Sequence, residues 1–288
     1  MDSATSSAYR DGYYHAQDDL RLYYRDYGDP ASPRTPLLCL SGLTRNAADF
    51  DGFARRWAAE RRIICLDYRG RGRSAYDPDW RNYRAETYLN DIRHLLALLD
   101  LDKVVVVGTS LGGILGMVLG VLQPKGIAGV VLNDVGPELA PQGIERILDF
   151  IGTDRPQRDW PSAIAYLKST FPMLSLQTEG EWQRMARGTF ALREDGLLHF
   201  DWDVALVKPL RANGAKLPEL WPYFRSLRRM PVLAIRGGVS DVLSEVTFDR
   251  MAAEKPDLLR VTVPAVGHAP SLDEPAARSA LEDFLGSL

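Results

Sequence analysis

Six short runs of the chain, residues 36–40, 62–67, 103–108, 128–133, 231–236 and 259–263, are apolar almost from end to end. A strand that faces water on one side alternates apolar and polar residues. A strand that is apolar throughout must be covered on both faces. Between these runs lie segments with helical spacing. In 86–99, Leu89, Ile92, Leu95, Leu96 and Leu99 form one stripe. Residues 110–122 and 276–285 read as further helices. Strands alternating with helices predict an open, mostly parallel α/β sheet with helices on both faces. Ahead of it, residues 13–17 and 20–26 alternate around Asp18-Asp19, which predicts an antiparallel hairpin. Residues 1 to about 12 read as a polar tail.

The alternation stops between 137 and 229. This stretch holds helical patterns and no convincing strand, punctuated by Pro141, Pro161, Pro172 and Pro218. It is expected to be a helical cap inserted into a core made of 1–136 and 230–288. At 288 residues, one main domain with an insertion is the natural partition.

The bulk numbers exclude some functions. The net charge is -3, which leaves no basic surplus for nucleic acid or anionic lipid. No run approaches the roughly 18 apolar residues of a membrane span, and the start of the chain lacks an apolar signal segment. The two cysteines, Cys39 and Cys65, each lie inside an apolar run and read as buried thiols. A cytoplasmic protein with a small-molecule substrate is expected, bound to neither membrane nor nucleic acid.

The chemistry is concentrated where strand 103–108 meets the next helix. Gly108-Thr109-Ser110-Leu111-Gly112 is a G-x-S-x-G match. A strand turning tightly into a helix holds its serine in a strained conformation and exposes the hydroxyl above the sheet. The free N–H groups of the helix start lie beside it. Ser110 is therefore the candidate nucleophile. A neutral serine needs a base, and the chain has four histidines: His15, His94, His199 and His268. Only His268 follows a sheet strand directly, and loops after strands carry the chemistry in open α/β sheets. An acid must then orient the imidazole. Asp241, after strand 231–236, is the expected one. Asp134, after strand 128–133, is its rival, and both give the chain order Ser-Asp-His. Ser41-Gly42-Leu43 follows the strand at 36–40, so the N–H groups of Leu43 and Leu111 are the expected oxyanion donors.

Taken together, these pieces resemble the α/β-hydrolase superfamily over nearly the whole chain. The hairpin start, Ser41-Gly42, Asp67-Tyr68-Arg69-Gly70-Arg71-Gly72-Arg73-Ser74, the serine motif, Gly238-Val239-Ser240-Asp241 and Gly267-His268-Ala269-Pro270 carry the resemblance. It implies the α/β-hydrolase fold, with eight strands and a cap after the sixth. The departure is Ser41, where most relatives have a histidine that braces the oxyanion loop. Dehalogenase and epoxide-hydrolase relatives carry an aspartate at the position of Ser110, so neither activity is expected.

The leading expectation is an esterase or lactonase, needing no cofactor or metal, for a small to medium, partly apolar substrate. Arg45, Trp160 and Trp182 are candidate substrate-binding residues. A hydrolase of carbon–carbon bonds in ring-cleavage diketones shares fold and triad. It would need a cation such as Arg45, Arg184, Arg187 or Arg193 for a substrate carboxylate. A non-enzymatic ligand receptor on the same fold is the remaining alternative.

Overall fold

Each apolar run but the last becomes a strand whose successive side chains enter two different cores, while the run at 259–263 forms an edge strand that is largely exposed. In the computed structural model, which describes residues 8–212 and 219–288, the chain opens with β1 (Tyr9–His15) and β2 (Arg21–Tyr27). Strands β3 (Leu37–Leu40), β4 (Ile63–Asp67), β5 (Val104–Thr109) and β6 (Ile127–Asn133) follow, separated by helices α1 (Asp51–Trp57), α2 (Ala85–Leu98) and α3 (Leu111–Leu122). After the insertion come β9 (Val232–Gly237), α9 (Glu245–Glu254), β10 (Leu259–Val263) and α10 (Pro275–Gly286). Leu38, Leu40, Ile64, Leu66, Val106 and Leu132 pack with α2 and α3 on one face. Leu37, Cys39, Ile63, Cys65, Val107 and Val131 pack with α1 and α10 on the other. Two covered faces explain why these strands carry no polar alternation. Cys39 and Cys65 are buried free thiols on neighbouring strands.

The eight strands lie in the order β1-β2-β4-β3-β5-β6-β9-β10. The pairs β1/β2 and β2/β4 are antiparallel and the rest parallel. From β3 the chain steps outward to β4, then returns past β3 to β5. The direction of winding thus reverses between β3 and β5, the position at whose carboxyl edge open α/β sheets bind their ligands. The register aligns that edge: Leu40 pairs with Gly108, Thr109 with Asn133, Asn133 with Ile235, and Gly237 with Val263. The residues that follow these strands are therefore neighbours.

Two details differ from the sequence expectation. β1 begins at Tyr9, inside the stretch read as a tail, and Tyr9 pairs with Tyr27. Residues 1–7 and Pro218 lie outside the described residues. The segment between β6 and β9 also contains a hairpin, β7 (Phe190–Leu192) and β8 (Leu198–Phe200), among helices α4 (Pro141–Ile151), α5 (Trp160–Thr170), α6 (Glu179–Arg187), α7 (Val207–Ala212) and α8 (Trp221–Ser226). Its strands are three residues long, below the length at which alternation can be read. The Asp195-Gly196 turn between them was the available signal.

This segment crosses the carboxyl edge. Gly72 N–H donates to Asp201 C=O at 3.0 Å, Asp203 N–H to Gly70 C=O at 2.8 Å, and Gly267 N–H to Met173 C=O at 2.7 Å. The Asn46 side chain donates to Gly188 C=O at 3.0 Å. The loops after β3, β4 and β10 are all touched. The segment has its own aromatic interior: Phe200 stacks on Trp202 at 4.0 Å, and Phe150 packs against Phe171, Phe200 and Trp202. No helix among the described residues is long and apolar enough to cross a membrane.

Candidate active site

Ser110 has φ 53° and ψ -117° between β5 and α3. That conformation is costly for a residue with a side chain and persists only where its surroundings enforce it. The enforcement is visible at Gly112, where an added Cβ would stand 1.9 Å from the Leu40 carbonyl oxygen. Helix α3 can start this close to β3 only because Gly112 has no side chain. Ser110 N–H donates to Asn133 C=O at 3.1 Å, which fixes the elbow to the end of β6.

The orienting acid is a correction to the sequence reading. Asp241 does not meet His268. Its carboxylate forms a bidentate pair with Arg146 of α4, at 2.6 and 2.9 Å. Burial pushes this carboxyl upward, but the hydrogen bonds and charge of Arg146 outweigh it and hold the group below its ordinary value. The partner of His268 is Asp134, whose Oδ2 lies 2.8 Å from Nδ1. The same carboxylate accepts from Gly237 N–H at 2.7 Å and from Ser240 Oγ at 2.6 Å. Asp134 is 0% exposed. Three partners are what a buried carboxylate requires. The physical reason for the exchange is a one-residue offset in the turn after β9. Ser240 points inward and holds Asp134, while Asp241 points outward to the insertion.

An ionised carboxylate only accepts, so in this contact Nδ1 of His268 is the donor. Asn133 ties the three loops together. Its carbonyl takes the Ser110 N–H, and its side-chain amide donates to Thr109 Oγ1 at 3.0 Å and to Pro270 C=O at 2.9 Å. Sequence reasoning gives no role to Asn133 or Ser240: Ser240 stands in the Gly238-Val239-Ser240-Asp241 piece only beside Asp241, Asn133 lies in none of the motifs, and the contacts of both join segments far apart in sequence. The other histidines are elsewhere: His15 pairs with Asp19 in the N-terminal turn, His94 lies near Tyr14 on α2, and His199 bridges Asp154 and Asp195 in the inserted hairpin.

The loop after β3 runs against the elbow: a Cβ added to Gly42 would lie 3.7 Å from Ser110 Cβ. Among the described residues, no hydrogen bond engages the N–H of Leu43 or of Leu111. The remaining sequence candidates are occupied. Arg45 is bidentate to Asp49, at 2.7 and 2.5 Å, and donates to Thr189 at 2.5 Å, so it is not a free cation. Trp182 is buried in the apolar cluster. The half-buried Trp160 carries the Arg187 guanidinium 4.6 Å from its ring. No group of three potential metal-ligating side chains occurs among the described residues.

Known proteins resemble this chain in sequence and fold. The profile of the alpha/beta hydrolase family matches residues 37–280. The 3-hydroxybutyrate-oligomer hydrolase of Cupriavidus necator is 36% identical over 271 residues, covering 89% of each chain. The 2-(acetamidomethylene)succinate hydrolase of Mesorhizobium japonicum is 25% identical over 81% of each. Among solved structures, an alpha/beta hydrolase from Novosphingobium aromaticivorans is 40% identical with a TM-score of 0.91, covering 98% of this chain and 99% of its own. With that match to the family and these relatives beside the sheet order and the serine elbow, the chain belongs to the α/β-hydrolase family.

Proposed function

We propose that this hydrolase cleaves carboxylic esters through an acyl-enzyme on Ser110, with short oligoesters of small hydroxy acids as its substrate class and lactones as their cyclic counterparts. The observation that carries the reading is the 2.8 Å contact of His268 with the fully buried Asp134, on loops tied to the Ser110 elbow. Ser110 Oγ attacks the ester carbonyl as His268 Nε2 takes its proton. Asp134 keeps the imidazole in the tautomer that can do so and stabilises the imidazolium. The N–H groups of Leu43 and Leu111 stabilise the oxyanion. His268 then protonates the leaving alcohol, and water enters to release the acid. Residues 137–229 act as the cap over this site.

The substrate class rests on the Cupriavidus necator relative, whose name describes hydrolysis of an oligomer of a hydroxy acid. The carbon–carbon reading needs an available cation. Arg45 is engaged by Asp49, Arg187 covers Trp160 and Arg193 is bonded to Tyr76, which leaves the exposed Arg184 of α6 as the cation that reading would use. The test is chromatography of 3-hydroxybutyrate dimer and trimer incubated with the protein. Release of monomer by the wild type, and none by Ser110→Ala, is expected. Cleavage of a vinylogous diketone with no turnover of any ester would overturn the reading. Binding of either compound without turnover would favour the receptor alternative.

A further inference from the structure

Arg71, on the turn after β4, is completely buried. Its Nε donates to Leu43 C=O at 2.7 Å, and Nη1 donates to Arg69 C=O at 2.7 Å and to Tyr88 Oη at 3.0 Å. The rings of Tyr88 and Tyr68 face the guanidinium at 4.7 and 5.3 Å. Nη2 is buried with no partner among the described residues. Its neighbour Arg69, by contrast, is held by the carboxylates of Asp18, Asp77 and Asp91. Burying a guanidinium against carbonyls and rings alone is costly, and an apolar side chain of similar length would fill the same space without that cost. The charge therefore calls for a reason beyond packing.

What Arg71 touches supplies one. The loop 41–45 makes few bonds to the body of the protein. The Ser41 hydroxyl donates to Arg45 C=O at 3.0 Å, a contact inside the loop itself. Two side chains reach the loop's carbonyls from outside: Tyr68 Oη donates to Ser41 C=O at 3.2 Å, and Arg71 Nε donates to Leu43 C=O. These carbonyls belong to the peptides on either side of the Gly42–Leu43 peptide. Clamping both fixes the direction of the Leu43 N–H between them.

We propose that Arg71 is a positioning residue for the oxyanion site, holding the Leu43 peptide where the Ser41 side chain is too short to brace it. The proposal rests on the serine-hydrolase reading. Its geometric part is preorganisation: a donor aimed before the reaction does not have to reorganise during it. Such a role acts on the tetrahedral state and leaves ground-state binding nearly untouched.

The experiment compares wild type, Arg71→Met, Arg71→Lys and Tyr68→Phe. For each, kcat and KM for p-nitrophenyl butyrate, the inhibition constant of phenylboronic acid as a tetrahedral mimic, and Tm are measured. For Arg71→Met, kcat should fall by roughly 30- to 100-fold, within the range for loss of an oxyanion donor. KM should stay within about twofold, boronate binding should weaken about as much as kcat, and Tm should hold or rise. Arg71→Lys, with one donor retained, should recover part of kcat. A folded Arg71→Met with kcat and boronate binding changed less than about threefold would overturn the proposal. So would a loss that appears in KM and Tm but not in boronate binding. If Arg71→Met does not fold, Tyr68→Phe decides: a kcat-specific loss shared with boronate binding supports the clamp, and an unchanged kcat overturns it. A wild type that turns over no ester and takes no fluorophosphonate removes the serine-hydrolase reading itself, and this proposal with it. An active wild type with unaltered variants removes this proposal alone.

Discussion

Asp134 and Asp241 are both carboxylates near His268, and their environments separate their roles. Asp134 has no exposure and three partners, one of them Nδ1. Asp241 is 39% exposed at its side chain and shared with Arg146. Asp134→Asn should lower kcat by roughly 10⁴-fold, as in a serine protease whose triad aspartate becomes an amide that favours the wrong tautomer. Asp241→Asn should cost less than about tenfold, since exposed ion pairs contribute little. Both are read from kcat on p-nitrophenyl butyrate, and a reversal of the two losses would return the acid to Asp241. The error in the sequence reading has a local cause. Ser110 and His268 are marked by strand-adjacent motifs that leave few other residues of the right type. The acid is marked only by type and position, and two aspartates satisfy both. What decides between them is which way the turn after β9 faces. That depends on Ser240 bonding Asp134, a contact between residues 106 apart in sequence.

Asp67, the last residue of β4, shows what an element pays to hold the active-site edge together. It is 2% exposed and accepts the N–H groups of Ala47 at 2.6 Å and Arg73 at 2.8 Å, which joins the loops after β3 and β4. Burial outweighs these bonds and pushes its carboxyl up to about 6. A group raised on folding contributes stability that is fully present below its unfolded value, near ~4, and is lost as pH rises through the folded value. Wild type should therefore lose roughly 3 kcal/mol relative to Asp67→Asn, which cannot titrate, between about pH 4 and 7. Denaturant titrations of both proteins across that range measure it, and a constant difference would contradict it. At this scale the sequence was readable where physics is local. Continuous apolar strands and the α2 stripe appear within about two residues of their expected ends. The three-residue strands β7 and β8 were not legible, because alternation needs a longer run and their pairing is stabilised by the aromatic interior around Phe190 and Phe200. The early start of β1 depends on pairing with β2 and leaves no mark of its own among residues 9–12.

At the scale of the whole molecule, the insertion is bonded to the loops after β3, β4 and β10, and as the proposed cap it would set what reaches Ser110. Its aromatic side chains mostly pack on one another. Met173 differs: it is 47% exposed, and its carbonyl accepts the N–H of Gly267, next to His268. The preferred chain length should therefore depend on Met173. Each added methylene buried beneath it is worth ~0.8 kcal/mol, or roughly fourfold in kcat/KM, up to a limit. Met173→Ala should lengthen the limit by one or two carbons in a p-nitrophenyl ester series, while an unchanged profile would place the limit elsewhere. All of this presupposes that Ser110 Oγ is the attacking nucleophile. The most direct measurement is intact-protein and peptide mass spectrometry after exposure to a fluorophosphonate. A single adduct on the peptide containing Ser110, absent from Ser110→Ala, is the result expected; no adduct, or one that survives on another residue of Ser110→Ala, would contradict the account.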